Sequence, residues 1–208
     1  MHALIPTLRQ ARVIPVVRTS TAALASTAVA WLREAGFTTF EITMTIPDAP
    51  ALIRELAAEA GLLVGAGTVP DRAGAEACLA AGARFLVTPW VDPAIVPPCR
   101  AAGACAMLGA VTPTEVRAAL AAGADVVKIF PAGSVGGPGH VKSLRAVFPE
   151  VVFCPTGGVD PSNAPDYLAA GAAFVGMGGK LVDEKLIAAG RREAVQQAAR
   201  DALGLMQA

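Results

Sequence analysis

Residues 121–131 read AAGADVVKIFP. Ala-Ala-Gly closes a helical stretch, because glycine enters the left-handed conformation that ends a helix without a Cβ clash. The run after it, VVKIF, is apolar and β-branched and lacks strict alternation, as a strand does when a parallel sheet is covered on both faces. Working outward, the same phrase recurs as EAGFTTFEITM (34–44), EAGLLVGAGT (59–68), AAGARFLVTP (80–89), AAGACAMLGA (101–110) and AAGAAFVGMG (169–178). The turn glycines are Gly36, Gly61, Gly82, Gly103, Gly123 and Gly171, with gaps of 25, 21, 21, 20 and 48 residues. The last gap is two periods. The missing unit lies inside it as FPEVVFCPTGG (148–158), where Pro149 and Glu150 take the turn.

Adding VIPVVR (13–18) gives eight strands, near 13–17, 38–43, 62–66, 84–88, 104–109, 125–130, 151–155 and 173–177. A helix is expected after each. Pro70-Asp71, Asp92-Pro93, Thr112-Pro113 and Asp160-Pro161-Ser162 supply capping and first-turn residues for the restart. RREAVQQAARDALGLM (191–206) reads as an amphipathic closing helix. Eight βα units of about 20–25 residues predict an α/β fold, a (β/α)8 TIM barrel, as a single domain over 1–208. An open doubly wound sheet is the competing architecture. It fits less well, because the period is even and no GxGxxG follows the first strand.

Hydrophobic residues make up 54% of the chain and charged residues 16%. That supports one large core and leaves a lean surface, a compositional hint of cover by another subunit. The 17 basic and 17 acidic residues cancel, and no Lys/Arg run marks a nucleic-acid or anionic-membrane footprint. An anionic ligand therefore needs a few local positive groups. MHALIPTLRQ has no apolar signal-peptide core, and no stretch approaches the roughly 20 apolar residues that span a bilayer. A soluble, cytoplasmic protein is expected. Cys78, Cys99, Cys105 and Cys154 form no CxxC pair and have no His-rich partner segment, so no metal site is expected. They read as small buried hydrophobes of a reduced protein.

In a barrel of this kind the active site is built at the C-terminal ends of the strands. The polar residues there are Arg18; Glu41, Thr43 and Thr45; Thr68; Thr88-Pro89; Lys128 and Phe130; Thr156-Gly157-Gly158; and Gly178-Gly179-Lys180. Two ionisable groups stand within strands, Lys128 in VVKIF and Glu41 in TFEIT. Alternation puts Val126, Lys128 and Phe130 on one strand face and Thr39, Glu41 and Thr43 on another. Burial disfavours the charged form of an amine, and only the neutral amine attacks a carbonyl. A nearby carboxylate can then move protons. The alternative is a structural ion pair, or one side chain turned to solvent. Arg18 suits an anion, but could pair with Glu41 or lie at the rim. The glycine pairs on strands seven and eight suggest a phosphate site, with main-chain N–H groups and the following helix N-termini facing the anion; they could also only make tight turns. His2, His140 and Trp31 read as non-catalytic, and Trp90 as lining either the mouth or an interface.

FEITM, VGAGTV, VTP, LGAVTPTE, VKIFPA and PTGGV, in that order, resemble the KDPG/KHG aldolases (2-keto-3-deoxy-6-phosphogluconate and 4-hydroxy-2-oxoglutarate aldolases) over almost the whole chain. The resemblance implies a metal-free class I aldolase, usually a homotrimer, that needs no cofactor because Lys128 forms an imine with the 2-keto acid substrate. It implies cleavage of the 6-phospho acid to pyruvate and glyceraldehyde 3-phosphate. It makes Glu41 the general acid/base, with Thr68 at the pyruvate carboxylate and Pro89 and Phe130 packing on the pyruvate portion. Arg18, Thr156, Gly157, Gly158, Gly178 and Gly179 would hold the remaining oxygens and the phosphate. Two positions depart from the pattern. Thr45 stands where some members place an arginine, and Gly179-Lys180 where many place Gly-Ser. The galactonate epimer, 4-hydroxy-2-oxoglutarate and oxaloacetate therefore stand as alternative substrates. A phosphosugar isomerase or synthase without an imine, and a non-catalytic anion-binding barrel, are the more distant readings.

Overall fold

A computed structural model describes residues 1–204. Eight strands alternate with helices: β1 (Val13–Val17), β2 (Thr39–Thr43), β3 (Leu63–Gly67), β4 (Phe85–Val87), β5 (Cys105–Ala110), β6 (Val126–Ile129), β7 (Phe153–Pro155) and β8 (Val175–Met177). The helices are α1 (Ile5–Ala11), α2 (Ala22–Glu34), α3 (Ala49–Ala57), α4 (Arg72–Ala80), α5 (Val96–Ala102), α6 (Pro113–Ala122), α7 (Gly137–Val147), α8 (Ala164–Ala169), α9 (Glu184–Ala188) and α10 (Arg192–Gly204). The last is the expected closing helix; Leu205 and Met206, its predicted end, lie outside the described residues. Five strands (β2, β4, β6, β7 and β8) are shorter than expected, but main-chain bonds of the ladder run past their ends, as in Arg84 N–H to Val64 O and Thr88 N–H to Met107 O. The difference is one of end definition.

All strand pairs are parallel, in the order β7-β6-β5-β4-β3-β2-β1-β8. The ring closes between β7 and β8, where Thr156 bridges Gly176 and Ala173 N–H donates to Phe153 O at 2.9 Å. A doubly wound sheet reverses direction at a switch point; this sheet does not, so it is a (β/α)8 barrel. Pairing of β1 with β2 begins at Val16, just after Pro15, which has no N–H to give.

All six turn glycines of the repeat have positive φ, from 61° at Gly103 to 116° at Gly36. Helix starts follow the expected caps in part. Asp71 accepts from Gly74 N–H as expected, and Thr21, outside the expected set, accepts from Leu24 N–H. Thr112 and Glu115 form a reciprocal capping box at α6. Asp92-Pro93 instead opens a 3₁₀ turn, Pro93–Ile95, ahead of α5. Asp160-Pro161-Ser162 makes a turn in which Asp160 Oδ1 accepts from Ser162 N–H, and α8 starts only at Ala164.

Side-chain parity divides the core in two. Val13, Val17, Phe40, Ile42, Val64, Leu86, Leu108, Val127 and Ile129 pack outward against the helices. Ile14, Phe85, Val87, Cys105, Met107, Val126, Val152, Cys154 and Phe174 point into the barrel. Phe85 and Phe174 are fully buried there, each contributing about 1.5–3 kcal/mol relative to exposure. The lower end is plugged by Ile5 and Leu8 of α1, a helix that the sequence analysis did not anticipate.

The α6 cap generates a prediction. Glu115 accepts from Thr112 N–H (2.7 Å), Val111 N–H (2.9 Å) and Thr112 Oγ1 (2.9 Å). The Thr112 main-chain bond, then those of Val111 and the Thr112 hydroxyl, hold its carboxyl below the ordinary 4.5. A depressed carboxylate stabilises the fold above its unfolded value, and that contribution is lost as the pH falls through the folded one. Thr112→Ala should cost about 1 kcal/mol at pH 7 by denaturant titration. The stability gap between wild type and Glu115→Gln should close as the pH is lowered below about 4.5.

Candidate active site

Lys128 is the third residue of β6 and shares the inward parity of Val126. Its neighbours in register are Gly109 on β5 and Cys154 on β7. Glu41 is inward on β2, between Val16 and Gly65. Lys128 is 3% exposed and Glu41 4%, so neither turns to solvent. Nζ of Lys128 lies 3.6 Å from Oε1 of Glu41. That is close enough for strong attraction in a buried site but too long for a hydrogen bond. Oε1 is buried and, among the described residues, has no hydrogen-bond partner. A buried carboxylate oxygen without a donor is costly, so this one asks for a ligand group to complete it. The Phe130 ring faces the amine at 5.1 Å, within cation–π range.

Glycines make the space around this pair. A Cβ at Gly65 would fall inside the Phe85 ring, and one at Gly67 onto the Glu41 side chain. A Cβ at Gly109 would lie 2.5 Å from the Pro89 carbonyl oxygen. The chain after β4 therefore folds tightly over β5, with Trp90 O accepting from Gly109 N–H (3.0 Å) and Thr88 Oγ1 (2.6 Å). Pro89 is placed over the strand beside Lys128. Trp90 is 47% exposed.

Above the pair, Arg18 crosses from β1 toward β3. Its Nη2 donates to Thr68 Oγ1 at 3.0 Å and its Nη1 reaches Thr45 Oγ1 at 3.5 Å. Thr45 in turn contacts Thr43 Oγ1 at 2.9 Å. Thr68 takes a left-handed φ of 54°, rare for a β-branched residue. The guanidinium thus leans across Thr45, just beyond the end of β2. It does not pair with Glu41.

A cavity of 550 Å³ at the mouth brings together Arg18, Lys128, Phe130, Thr156, Gly157, Gly158, Gly178 and Gly179. Glu41 sits behind Lys128, Thr68 is joined through Arg18, and Pro89 lies outside the lining. Gly157 and Gly158 have φ of 86° and 76°, and a Cβ at Gly158 would meet Gly133 Cα at 3.0 Å. Gly179 has open space in front of it. Among the described residues, no protein acceptor takes the N–H of Gly158, Gly178 or Gly179. After strand eight, the helix N-terminus expected to face an anion is already capped. The first N–H groups of α9 are taken by Asp183 Oδ1, from Lys185 at 2.9 Å and Leu186 at 3.2 Å. Asp160 guards the loop before α8, its carboxyl held low by the Ser162 hydroxyl and, as the smallest cause, by Lys180. Positive charge at this end therefore comes from Lys180 and Arg18, which line the cavity with Asp160 and Asp183. Asp183 was missed by sequence reasoning; the only signal was an acidic residue ahead of a short helix.

His140 is half-buried, and its Nε2 is 2.7 Å from Val111 O, which ties α7 to the β5 end. Trp31 packs half-buried on the outer core. All four cysteines are buried and unpaired. Burial pushes Cys78 up to about 11 and Cys99 up to about 12. Burial, then the nearby Glu41 charge, pushes Cys154 up to about 12, with Lys128 opposing. Cys105 is raised as well, chiefly by burial.

The family model described as KDPG and KHG aldolase matches residues 4–198. A protein of Rhizobium meliloti described as "Probable 2-dehydro-3-deoxy-6-phosphogalactonate aldolase" is 42% identical over 72% of each chain. The 2-dehydro-3-deoxy-phosphogluconate aldolase of Pseudomonas aeruginosa is 33% identical over 94% of this chain and 89% of its own. Among solved structures, KDPG aldolase from Legionella pneumophila, with pyruvate captured as a covalent carbinolamine intermediate, superposes with a TM-score of 0.86. It is 29% identical and covers 94% of this chain and 96% of its own.

The thiol environments predict inertness. A disulfide reagent at pH 8 should label none of the four cysteines in the folded protein and all four in denaturant, since only thiolates react. Rapid native labelling at Cys154 would contradict its buried setting beside Lys128.

Proposed function

The chain belongs to the KDPG and KHG aldolase family, and on that premise we propose that Lys128 and Glu41 are the reacting groups of a class I aldolase. It cleaves 2-keto-3-deoxy-6-phosphogluconate to pyruvate and glyceraldehyde 3-phosphate. The observation that carries this assignment is the buried amine of Lys128, 3.6 Å from a carboxylate oxygen that lacks a donor.

The chemistry follows from these groups. Lys128 passes a proton to the carboxylate and attacks C2, forming a C–N bond and a carbinolamine. Glu41 returns that proton to the departing C2 hydroxyl, and loss of water gives a protonated imine beside a carboxylate that is free again. Glu41, directly or through one water, takes the C4 hydroxyl proton. The C3–C4 bond breaks, its electrons flow into the imine as an enamine, and the aldehyde leaves. The enamine is then protonated at C3, and water releases pyruvate and the free amine. The carbinolamine in the Legionella pneumophila enzyme supports the covalent route.

Thr68 and Arg18, already bonded to each other, suit the substrate carboxylate, and Phe130 and Pro89 the flat pyruvate portion. The unspent N–H groups of Gly158, Gly178 and Gly179, with Thr156, Gly157 and Lys180, suit the phosphate end. The Rhizobium meliloti relative is named for the galacto epimer, which makes that acid the second candidate substrate. No helix among the described residues is long and apolar enough to cross a membrane. We further infer a cytoplasmic homotrimer, on the family resemblance, the unpaired thiols and the low charge content.

Incubation with pyruvate and borohydride should add a single mass increment at Lys128, and Lys128→Ala should abolish both adduct and turnover. A folded protein without an adduct would point to an imine-free sugar-phosphate enzyme. Glu41→Gln should lower kcat by about 10²–10⁴-fold. Arg18→Ala should cost about 1.5–3 kcal/mol of substrate binding, read as KM. Lys180→Ala should raise KM for the phosphorylated acid and not for its phosphate-free analogue. Equal turnover of the two acids by wild type would remove the anion site, and the gluco and galacto epimers compared side by side decide the preferred substrate. Sedimentation equilibrium tests the trimer.

A further inference from the structure

Gly67 is the last residue of β3, paired in register with Thr43 and Val87. Its φ is not in the left-handed range, so its backbone conformation suits any residue. Its carbonyl accepts from Met44 N–H at 2.7 Å, a bond that alanine would keep. The three atoms nearest to a Cβ at this position all belong to Glu41. A Cβ there would lie 2.6 Å from Cδ and 2.7 Å from Cγ of Glu41, and closer still to Oε1. No backbone atom is among its three nearest neighbours. Gly65, two residues earlier, serves packing, since its missing Cβ is replaced by the Phe85 ring.

Oε1 of Glu41 has no donor among the described residues to hold it. What locates it is shape: the slot left open over Gly67 on one side and the attraction of Lys128 on the other. We propose that Gly67 is a positioning residue for the aldol step, the absent Cβ forming the slot in which the Glu41 carboxylate stands. This rests on the reading of Glu41 as the proton-transfer group. An alanine would push a flexible side chain aside while leaving the β3 ladder intact, so it should misplace the carboxylate without dismantling the barrel.

The test is a double-mutant cycle of Gly67→Ala and Glu41→Ala, with kcat, KM, pyruvate C3–H exchange and thermal melting measured on all four proteins. Gly67→Ala alone should lower kcat and the exchange rate by about 10²-fold, with KM little changed, because a misplaced general acid/base loses most of its contribution. In the Glu41→Ala background, where the clashing atoms are gone, Gly67→Ala should cost nothing further. If Gly67→Ala fails to fold, a folded Glu41→Ala/Gly67→Ala protein supports the slot, since only the Glu41 side chain distinguishes the two. Full activity in Gly67→Ala, equal losses in both backgrounds, or an unfolded double variant beside a folded Glu41→Ala would each overturn the proposal. Absence of a pyruvate adduct on wild-type Lys128, or full activity in Glu41→Ala, would instead defeat the underlying site assignment, so the two failures are told apart.

Discussion

A closed eight-stranded barrel has a single interior, and the inward side chains of all eight strands compete for its volume. In this chain the competition is settled in layers. The lower interior is filled by Phe85, Phe174, Met107, Val126 and their neighbours, and α1 seals it with Ile5 and Leu8. The upper interior is left to Lys128 and Glu41, with Gly65, Gly67, Gly109 and Gly176 as inward positions that add no bulk. Removing two charges from water costs several kcal/mol each, and a pair at 3.6 Å returns only part of that. The fold can bear this because its two apolar layers are complete elsewhere. The uncompensated part is concentrated on one carboxylate oxygen, where a substrate proton would complete it.

Charge at the mouth is arranged by proximity. Arg18 is exposed, yet its guanidinium is directed by the Thr68 and Thr45 hydroxyls across the top of β2 and β3. A cation from β1 thereby reaches toward the end of a different strand. At the other side of the mouth, Lys180 and two carboxylates, Asp160 and Asp183, line the same cavity. Asp183 spends itself on the first N–H groups of α9, and Asp160 is engaged by Ser162. The glycine amides between them are left without protein acceptors.

Much of this was legible before any coordinates. The turn glycines did adopt left-handed conformations, and strand parity grouped Lys128 with Val126 and Glu41 with Thr39 on single faces, because both rules are local and periodic; that these faces point inward is a property of the closed barrel. Other features had no local signature. IPTLRQA has only Ile5 and Leu8 to bury, so α1 exists through the barrel end that it plugs. The glycine loops promised helix N-termini for an anion, yet the side chain that occupies those of α9 is Asp183, an unremarkable residue in the sequence. His140, read only as non-catalytic, ties α7 to the β5 end, a contact across 29 residues of chain.

The sequence by itself determined the number of βα units, the strands that carry ionisable groups and the family, because each depends on residue order and spacing along one short segment. Tertiary structure alone decided that Lys128 and Glu41 meet at 3.6 Å, that Arg18 reaches Thr45 and Thr68, and that a Cβ at Gly67 would meet a side chain 26 residues away. These are properties of volume shared among strands far apart in the chain. Shared volume exists only once the barrel has closed.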